Sequence, residues 1–505
     1  MDTGSVDSED VFLFSTRRMG HPGAYVRGYI CWTVVLLGTM VSINSKAQSM
    51  SFPLSTAEGV NTLQNSTVDV DSTPAHVYGE VRMEDMEYLT ALPEAPQLSH
   101  SQLLSARLSI LKETSWTDAG LDISAGTFFV PDQSHFLVQE AYMASKGGPF
   151  KLTVGRKKKD WSEMDDRWKL GLWQPVYAID TLRPEEEGLS GIFLDYNQDD
   201  REVLLFVTPV FLPNTGPDIR SEGGSLVTNS RWYRAPTRNY DFSDRVNTIQ
   251  YDLSIPDVGK IVNNAGAGLM GRWGSKNNGP WVVTSAGYLP VNELALTHQI
   301  FKQIDQDNVN VTIVPQVVYH TIGSMDVGYA FSNLKLSASY LEDHPQTPLP
   351  TDPDWSIQNF QPLQAYSVAA DFTIDQVFSR LLSFQVSYLR ITGGGIQDVT
   401  STGAPDDITL FDERLKFTNA TSFRVEGQLA TFYHHPLVSR VMYLYDYDQR
   451  GSLLNTEFLY YPAQKWAVLM GADFIGVEDD NYKPTSFLNT YRANDRVYGG
   501  MTYVF

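Results

Sequence analysis

Cysteine is nearly absent. The 505 residues contain one, Cys31, and it falls in a segment expected to be removed. The mature chain would then carry no thiol, which excludes disulfide frameworks, cysteine zinc sites and cysteine nucleophiles. Charge is also sparse, at 19% of residues against about 25% in soluble domains. Positive charge is the scarcer sign: 38 Lys and Arg face 59 Asp and Glu, a formal net charge of −21. No cationic excess exists to neutralise phosphates, so nucleic acid is not an expected partner. Only one long apolar run occurs, Ile30 to Ile43, ICWTVVLLGTMVSI. Nothing after it could form a membrane-spanning helix, although hydropathy windows largely miss spanning strands.

What the chain has in quantity is aromatic. It carries 26 Tyr, 25 Phe and 10 Trp, an amphipathic excess suited to a surface that meets lipid headgroups. The apolar run follows Arg27 and precedes Ser45 and Ala47. A positive flank, a short apolar stretch and small residues at −3 and −1 describe a secretory signal peptide over 1–47, with Met19 as an alternative start. A lipoprotein reading of Cys31 fails, because Gly28-Tyr29-Ile30 places no small residue beside it. Residues 1–47 hold as many acids as bases, so the remaining 458 keep the net charge of −21. Residues 48–73, rich in Ser, Thr, Asn and Asp, are expected to form a flexible periplasmic arm.

From 74 to 505 the pattern is period-2 alternation. Phe423, Val425 and Leu429 alternate with Ser422, Arg424, Glu426 and Gln428. Trp466, Val468, Met470, Ala472 and Phe474 alternate with Lys465, Ala467, Leu469, Gly471 and Asp473. Leu334, Leu336, Ala338 and Tyr340 oppose Lys335, Ser337 and Ser339, and Phe150, Leu152 and Val154 oppose Lys151 and Thr153. Ile249, Tyr251 and Leu253, and Val311, Ile313, Val317 and Tyr319, show the same rhythm. Strands of about ten residues match a tilted membrane crossing, and closure of the sheet satisfies every backbone group in lipid. The expected fold is all-β: a single transmembrane antiparallel β-barrel of about 18 strands, with 16 as the alternative count, and long extracellular loops. The chain ends Tyr498-Gly499-Gly500-Met501-Thr502-Tyr503-Val504-Phe505. Met501, Tyr503 and Phe505 share one face, which resembles the assembly signal of bacterial outer-membrane barrels and implies the barrel-assembly machinery as a partner.

Residues 135–220 resemble a family of large Gram-negative outer-membrane porin-like proteins. The matching residues are Glu140, Ala141, Tyr142, Gly155, Arg156, Trp161, Ser162, Glu163, Asp165, Gln174, Pro175, Pro209, Phe211 and Pro213. The family's Gln is Lys157 here, one extra residue precedes Trp161, Ser162 replaces Gly, and Pro175 is followed by Val-Tyr-Ala-Ile-Asp. More loosely, the segment is similar to alginate-export porins. The resemblance implies a barrel and a transport role in the cell outer membrane, for small solutes or an exported polymer, and leaves the cargo open.

Arg156, Lys157, Lys158 and Lys159 lie close to Asp160, Glu163, Asp165 and Asp166. Opposed charges in a narrowed lumen create a transverse field that sorts solutes, so this segment is a candidate constriction. The alternative is a solvated loop cluster. A second long polar segment, 214–245, carries Arg220, Arg231, Arg234, Arg238 and Arg245 among interleaved aromatics; it either folds inward or packs outside. Residues 343–363 hold five Pro and read as a stiff external loop. His434-His435 reads as a turn filler. No Gly-x-Ser-x-Gly or His-Glu-x-x-His occurs, so neither an enzyme nor a cofactor or metal is expected. Lys151, Asp252, Lys335, Arg424, Glu426, Glu457, Lys465, Asp473 and Arg496 are the expected lumen charges. The functional expectation is a porin-like channel for passive passage or export, with homo-oligomers as an option. Its rivals are a non-conducting barrel whose loops bind a partner or polysaccharide, and a barrel hydrolase.

Overall fold

A computed structural model describes residues 75–505 apart from 93–94, 131, 237, 243–244, 303–307, 378–379 and 406–413. The expected leader and arm, 1–73, lie outside the described residues. Alternation of apolar and polar side chains builds 18 long strands: β1 (His76–Tyr88), β2 (His100–Glu113), β3 (Thr117–Val130), β4 (Gln133–Ser145), β5 (Phe150–Lys157), β6 (Leu189–Gln198), β7 (Arg201–Val210), β8 (Gly266–Ser275), β9 (Asn278–Pro290), β10 (Tyr319–Ala330), β11 (Leu334–Pro345), β12 (Leu363–Val377), β13 (Arg380–Gly393), β14 (Asn419–Phe432), β15 (His435–Asp446), β16 (Gly451–Ala463), β17 (Trp466–Val477) and β18 (Arg496–Val504). Each pairs antiparallel with its neighbours, and β1 pairs with β18 from Glu80↔Val504 to Tyr88↔Arg496. The sheet is therefore closed and has no free edge, as the sequence leads one to expect.

One apolar face of each strand points out. Met470, Met501 and Phe505 lie exposed on one side of the last two strands, with half-buried Val468 on the same face, while Gly471, Asp473 and Arg496 point in. At the seam the Phe505 amide donates to the Gly79 carbonyl at 2.9 Å. The Phe505 ring lies over Gly79, where any Cβ would collide with it. The terminal aromatic thus has a structural partner on the first strand.

The two ends of the barrel differ. The start of β1 and the end of β18 share one end with the short connections β2–β3, β4–β5, β6–β7, β8–β9, β10–β11, β12–β13, β14–β15 and β16–β17, while the short connections β3–β4 and β15–β16 lie at the other. One of these turns holds Tyr433 and His434 at φ 48° and 70°, the positive-φ pair of a tight hairpin. The expected turn role of His434 is what the structure shows, with His435 opening β15. The opposite end carries the long connections 89–99, 158–188, 211–265, 291–318, 346–362, 394–418 and 478–495.

Four of these connections build a second sheet, in the order Asn239–Phe242, Arg245–Leu253, Asn308–Gln316, Ala295–Lys302, Trp355–Phe360 and Ile396–Thr400. Here the strand expectations need correction. The segments around Ile249–Leu253 and Val311–Ile313 belong to this sheet, not to the barrel. Asp252 is accordingly no lumen charge, and 343–363 is part strand β11 and part cap strand. Alternation alone cannot separate the two sheets, because Leu226, Tyr251, Val311 and Ile313 bury a core of their own. Lys465 is likewise corrected: it lies exposed in the β16–β17 turn.

Candidate constriction in the barrel lumen

The connection 158–188 folds into the barrel. Its first part is a single helical turn, Glu163–Trp168, ended by Lys169 and Gly171 at φ 50° and 71°. Asp165 fixes the turn that follows, accepting the Leu172 and Trp173 amides at 3.1 and 2.8 Å. This brings Trp173 onto Trp161 with ring centroids 5.5 Å apart, and Trp161 also meets Phe206 of β7 at 4.5 Å. Both indoles are fully buried against Phe193, Leu204, Met270 and Trp281 of the barrel wall.

Polar anchors then cross the lumen. The Trp161 carbonyl accepts Ser285 Oγ at 2.7 Å and Ser324 Oγ at 3.1 Å. The Glu163 amide donates to Asp326 at 3.0 Å, and its carboxylate receives Lys335, Ser337 and Arg167 at 3.0, 2.9 and 2.9 Å. Arg167 also grips both oxygens of Asp371 on β12 at 2.8 Å, the bidentate geometry that fixes a guanidinium in place. The far part of the connection reaches the opposite wall. Asp180 pairs with Arg496 at 2.8 Å and Arg183 with Glu84 at 2.5 Å, and Lys416 donates to the Thr181 carbonyl at 3.0 Å. Arg496, 1% exposed, also holds Asp473 at 2.6 Å. Breaking one side of so buried a pair costs about 3–5 kcal/mol.

The basic run serves as the hinge of this insertion. Arg156 pairs with Glu187 and donates to the Gly188 carbonyl at 2.9 Å. Lys157 pairs with Glu140 at 3.1 Å beneath the Tyr142 ring. Lys158 reaches Gln139 at 2.7 Å, and Lys159 reaches Asp195 at 2.6 Å and Glu202 at 3.5 Å. Burial pushes the Lys158 ammonium below its ordinary value. Burial pushes Asp165 up to about 7, its two amide bonds opposing the shift, and Asp166 is raised by desolvation and by Glu186, Asp160 and Asp165.

The connection 211–265 divides. Arg231 is buried and donates to the carbonyls of Thr90 at 2.7 Å, Ala493 at 2.6 Å and Leu98 at 3.2 Å, tying three connections together. Trp232 beside it packs on Tyr491. Arg234 is half-buried over the Tyr491 ring. Arg220 is exposed in a small hairpin, with Glu222 at 3.1 Å, and Arg238 is exposed as well.

The inner face of the wall is now in two states. From β6 to β12 it is buried under the inserted connection: Phe193, Leu204, Trp281, Ile322, Ser339 and Ser367 have almost no accessible surface. On β13–β16 and β1–β3 the half nearer the short turns remains half-exposed. That open wall carries a run of paired charges. Arg424 and Arg440 share Glu426 at 2.9 and 3.0 Å, Arg440 reaches Glu457 at 3.0 Å, and Arg107 grips Asp122 at 2.6 and 2.8 Å. Nearer the long-loop end, Leu389, Ile391, Ala420, Leu444, Leu453 and Ile475 are buried under the connections. Arg82, Glu84, Arg107, Asp122, Asp326, Asp371 and Arg440 were missed as lumen charges. Each is a polar residue at an alternate position of an otherwise apolar strand, and that parity is the signal that finds them.

No family model matches the chain, and no curated protein matches it. Solved structures do. OccAB4 of Acinetobacter baumannii is 11% identical with a TM-score of 0.43, covering 86% of this chain and 98% of that one. OpdQ of Pseudomonas aeruginosa is 10% identical with a TM-score of 0.41, over 86% and 99%. OmpF of Salmonella typhi, in a complex with daunomycin, is 12% identical with a TM-score of 0.38, over 85% and 97%. Strand number, loops and chemistry are read from this chain itself.

Proposed function

We propose that this chain is a porin-like channel of the cell outer membrane, passing small solutes or an exported product passively through a lumen narrowed by the connection 158–188. The observation that carries the reading is the half-exposed inner face of β13–β16 and β1–β3, lined by arginines and carboxylates opposite the inserted connection. A solute there sits in a field between fixed charges, which orients and sorts it with no covalent step. The outward apolar faces meet lipid, the barrel-assembly machinery takes the Met501–Phe505 strand, and the first 47 residues act as the cleaved leader. Planar-bilayer recording of the purified, refolded mature chain tests this. Stable stepwise conductance supports the channel, and reproducible silence from correctly folded protein removes it.

A second reading has its own observation. The lumen half nearer the long loops is packed with aliphatic side chains, beside a six-stranded sheet built from four connections. A non-conducting barrel that presents this sheet to a partner would look the same from outside, and silence in the bilayer is its signature.

A further inference from the structure

The charges of the lumen are paired almost one for one. On the open wall Arg424 and Arg440 stand against Glu426 and Glu457, and Arg107 against Asp122. The inserted connection balances in the same way. Of the seven cations in residues 156–183, six have a carboxylate within ion-pairing distance, and Lys158 has none. Each pair gives a passing solute a local dipole and no net charge. The sign that the solute feels is therefore set by the charges that pairing leaves over.

Three charged groups remain beside the open wall. The half-buried Lys158 ammonium donates to the Gln139 amide oxygen at 2.7 Å. Glu185, exposed on the returning arm of the connection, accepts Gln139 Nε2. Glu80, half-exposed on β1, accepts the Tyr78 hydroxyl at 2.6 Å. Neither carboxylate has a cation within ion-pairing distance among the described residues. Asp166 also lacks one, but burial and the carboxylates of Glu186 and Asp160 hold its proton. The remaining groups are joined through Gln139, which is 1% exposed. Its Oε1 takes Arg107 Nη2 at 2.9 Å as well as Lys158, and Glu80 stands opposite Arg107 in the β1–β2 register. Arg107 itself is engaged by both oxygens of Asp122. A neutral amide thus satisfies Lys158 and Glu185 by hydrogen bonds without cancelling either charge. Two carboxylates against one ammonium leave the narrowed lumen with one net negative charge.

We propose that Glu185 and Glu80 set the charge preference of the channel, which passes small cations in preference to small anions. This rests on the channel reading above and adds its solute class and the residues that determine it. A unit charge a few ångströms from an ion changes the local concentration of that ion about fivefold even in water-like surroundings. One net carboxylate in a narrowed lumen is therefore enough to bias passage.

Reversal potentials of the purified, refolded mature chain across a KCl gradient test this. Salt near about 0.1 M is suitable, because screening there extends over about 10 Å. The wild type is expected to favour potassium over chloride about threefold or more. Glu185→Gln keeps the shape of the side chain and the bond from Gln139, and is expected to bring the ratio to about one. Glu80→Gln is expected to lower it independently, and Lys158→Gln to raise it about fivefold. Heat-modifiable gel mobility identifies the variants that carry a folded barrel. A conducting wild type that favours chloride, or neither ion, overturns the charge preference. A potassium preference that survives both Glu185→Gln and Glu80→Gln overturns the assignment to these carboxylates. A silent, correctly folded wild type removes the channel reading and the preference with it, an outcome distinct from conductance of the wrong sign.

Discussion

The wall from β6 to β12 and the wall formed by β13–β16 with β1–β3 are written in the same alternating code, yet they meet different surroundings. Inward residues of the first wall, Phe193, Leu204, Phe206 and Trp281, are large and apolar and receive the indoles of Trp161 and Trp173. Inward residues of the second, Arg107, Arg424, Arg440 and Glu457, are charged and stay in reach of water. A barrel of this size has a lumen too wide for wall side chains to fill. One wall is therefore written as a dry core for an inserted loop, the other as the lining of an aqueous space. The polarity of alternate residues decides which, strand by strand.

The largest effect should come from emptying the dry side. Trp161→Ala is expected to cost about 3–5 kcal/mol in denaturant unfolding in lipid vesicles, because a fully buried indole leaves a cavity. Arg424→Ala on the wet side should cost about 1 kcal/mol or less, since Glu426 keeps Arg440 as a partner. Similar losses at the two sites would break the contrast.

The next comparison is between lipid and lumen faces. Val468→Arg near mid-membrane should cost about 2–4 kcal/mol, and an arginine on the lumen side much less. Sequence parity nominates Gly471 for the lumen site. The structure rejects it, because a Cβ there would strike the Tyr498 ring and the Thr456 carbonyl. Ser422, inward and half-exposed, is the fair partner, and Ser422→Arg should refold with little loss.

A pH effect follows from Asp165. Its carboxyl is pushed up to about 7 by burial, so the folded state holds a proton that the unfolded chain releases near its ordinary value. The unfolded state binds fewer protons between about pH 4 and 7, and stability falls as pH rises through that window, then levels off. Hydrogen exchange of the Leu172 and Trp173 amides should show protection declining over the same range, and Asp165→Asn should flatten the profile. The smallest effect belongs to the exposed hairpin: Arg220→Ala should change stability by no more than about 0.5 kcal/mol.

The barrel was legible because period-2 alternation is set by strand geometry and survives in a single sequence. The faces assigned to Val468, Met501 and Phe505 therefore hold. The cap sheet was not legible, because Tyr251 and Val311 alternate for a different core. The inserted connection was legible in its charges and opaque in its anchors. Lys159, Glu163 and Asp165 sit together in sequence, but Asp371, Arg496 and Glu84 meet the same connection, at Arg167, Asp180 and Arg183, only through closure of the barrel. Arg220 and Arg231 stood in one polar run with equal claims, and only contact with the Thr90 and Ala493 carbonyls separates them.

The central claim is that residues 158–188 narrow an otherwise aqueous lumen. It is tested most directly by comparing unitary conductance of the wild-type barrel with that of a variant in which residues 162–173 are replaced by a short Gly-Ser linker. The account predicts small, stable steps in the wild type and clearly larger steps in the variant. Equal conductance in the two, or silence in both from folded protein, would contradict it.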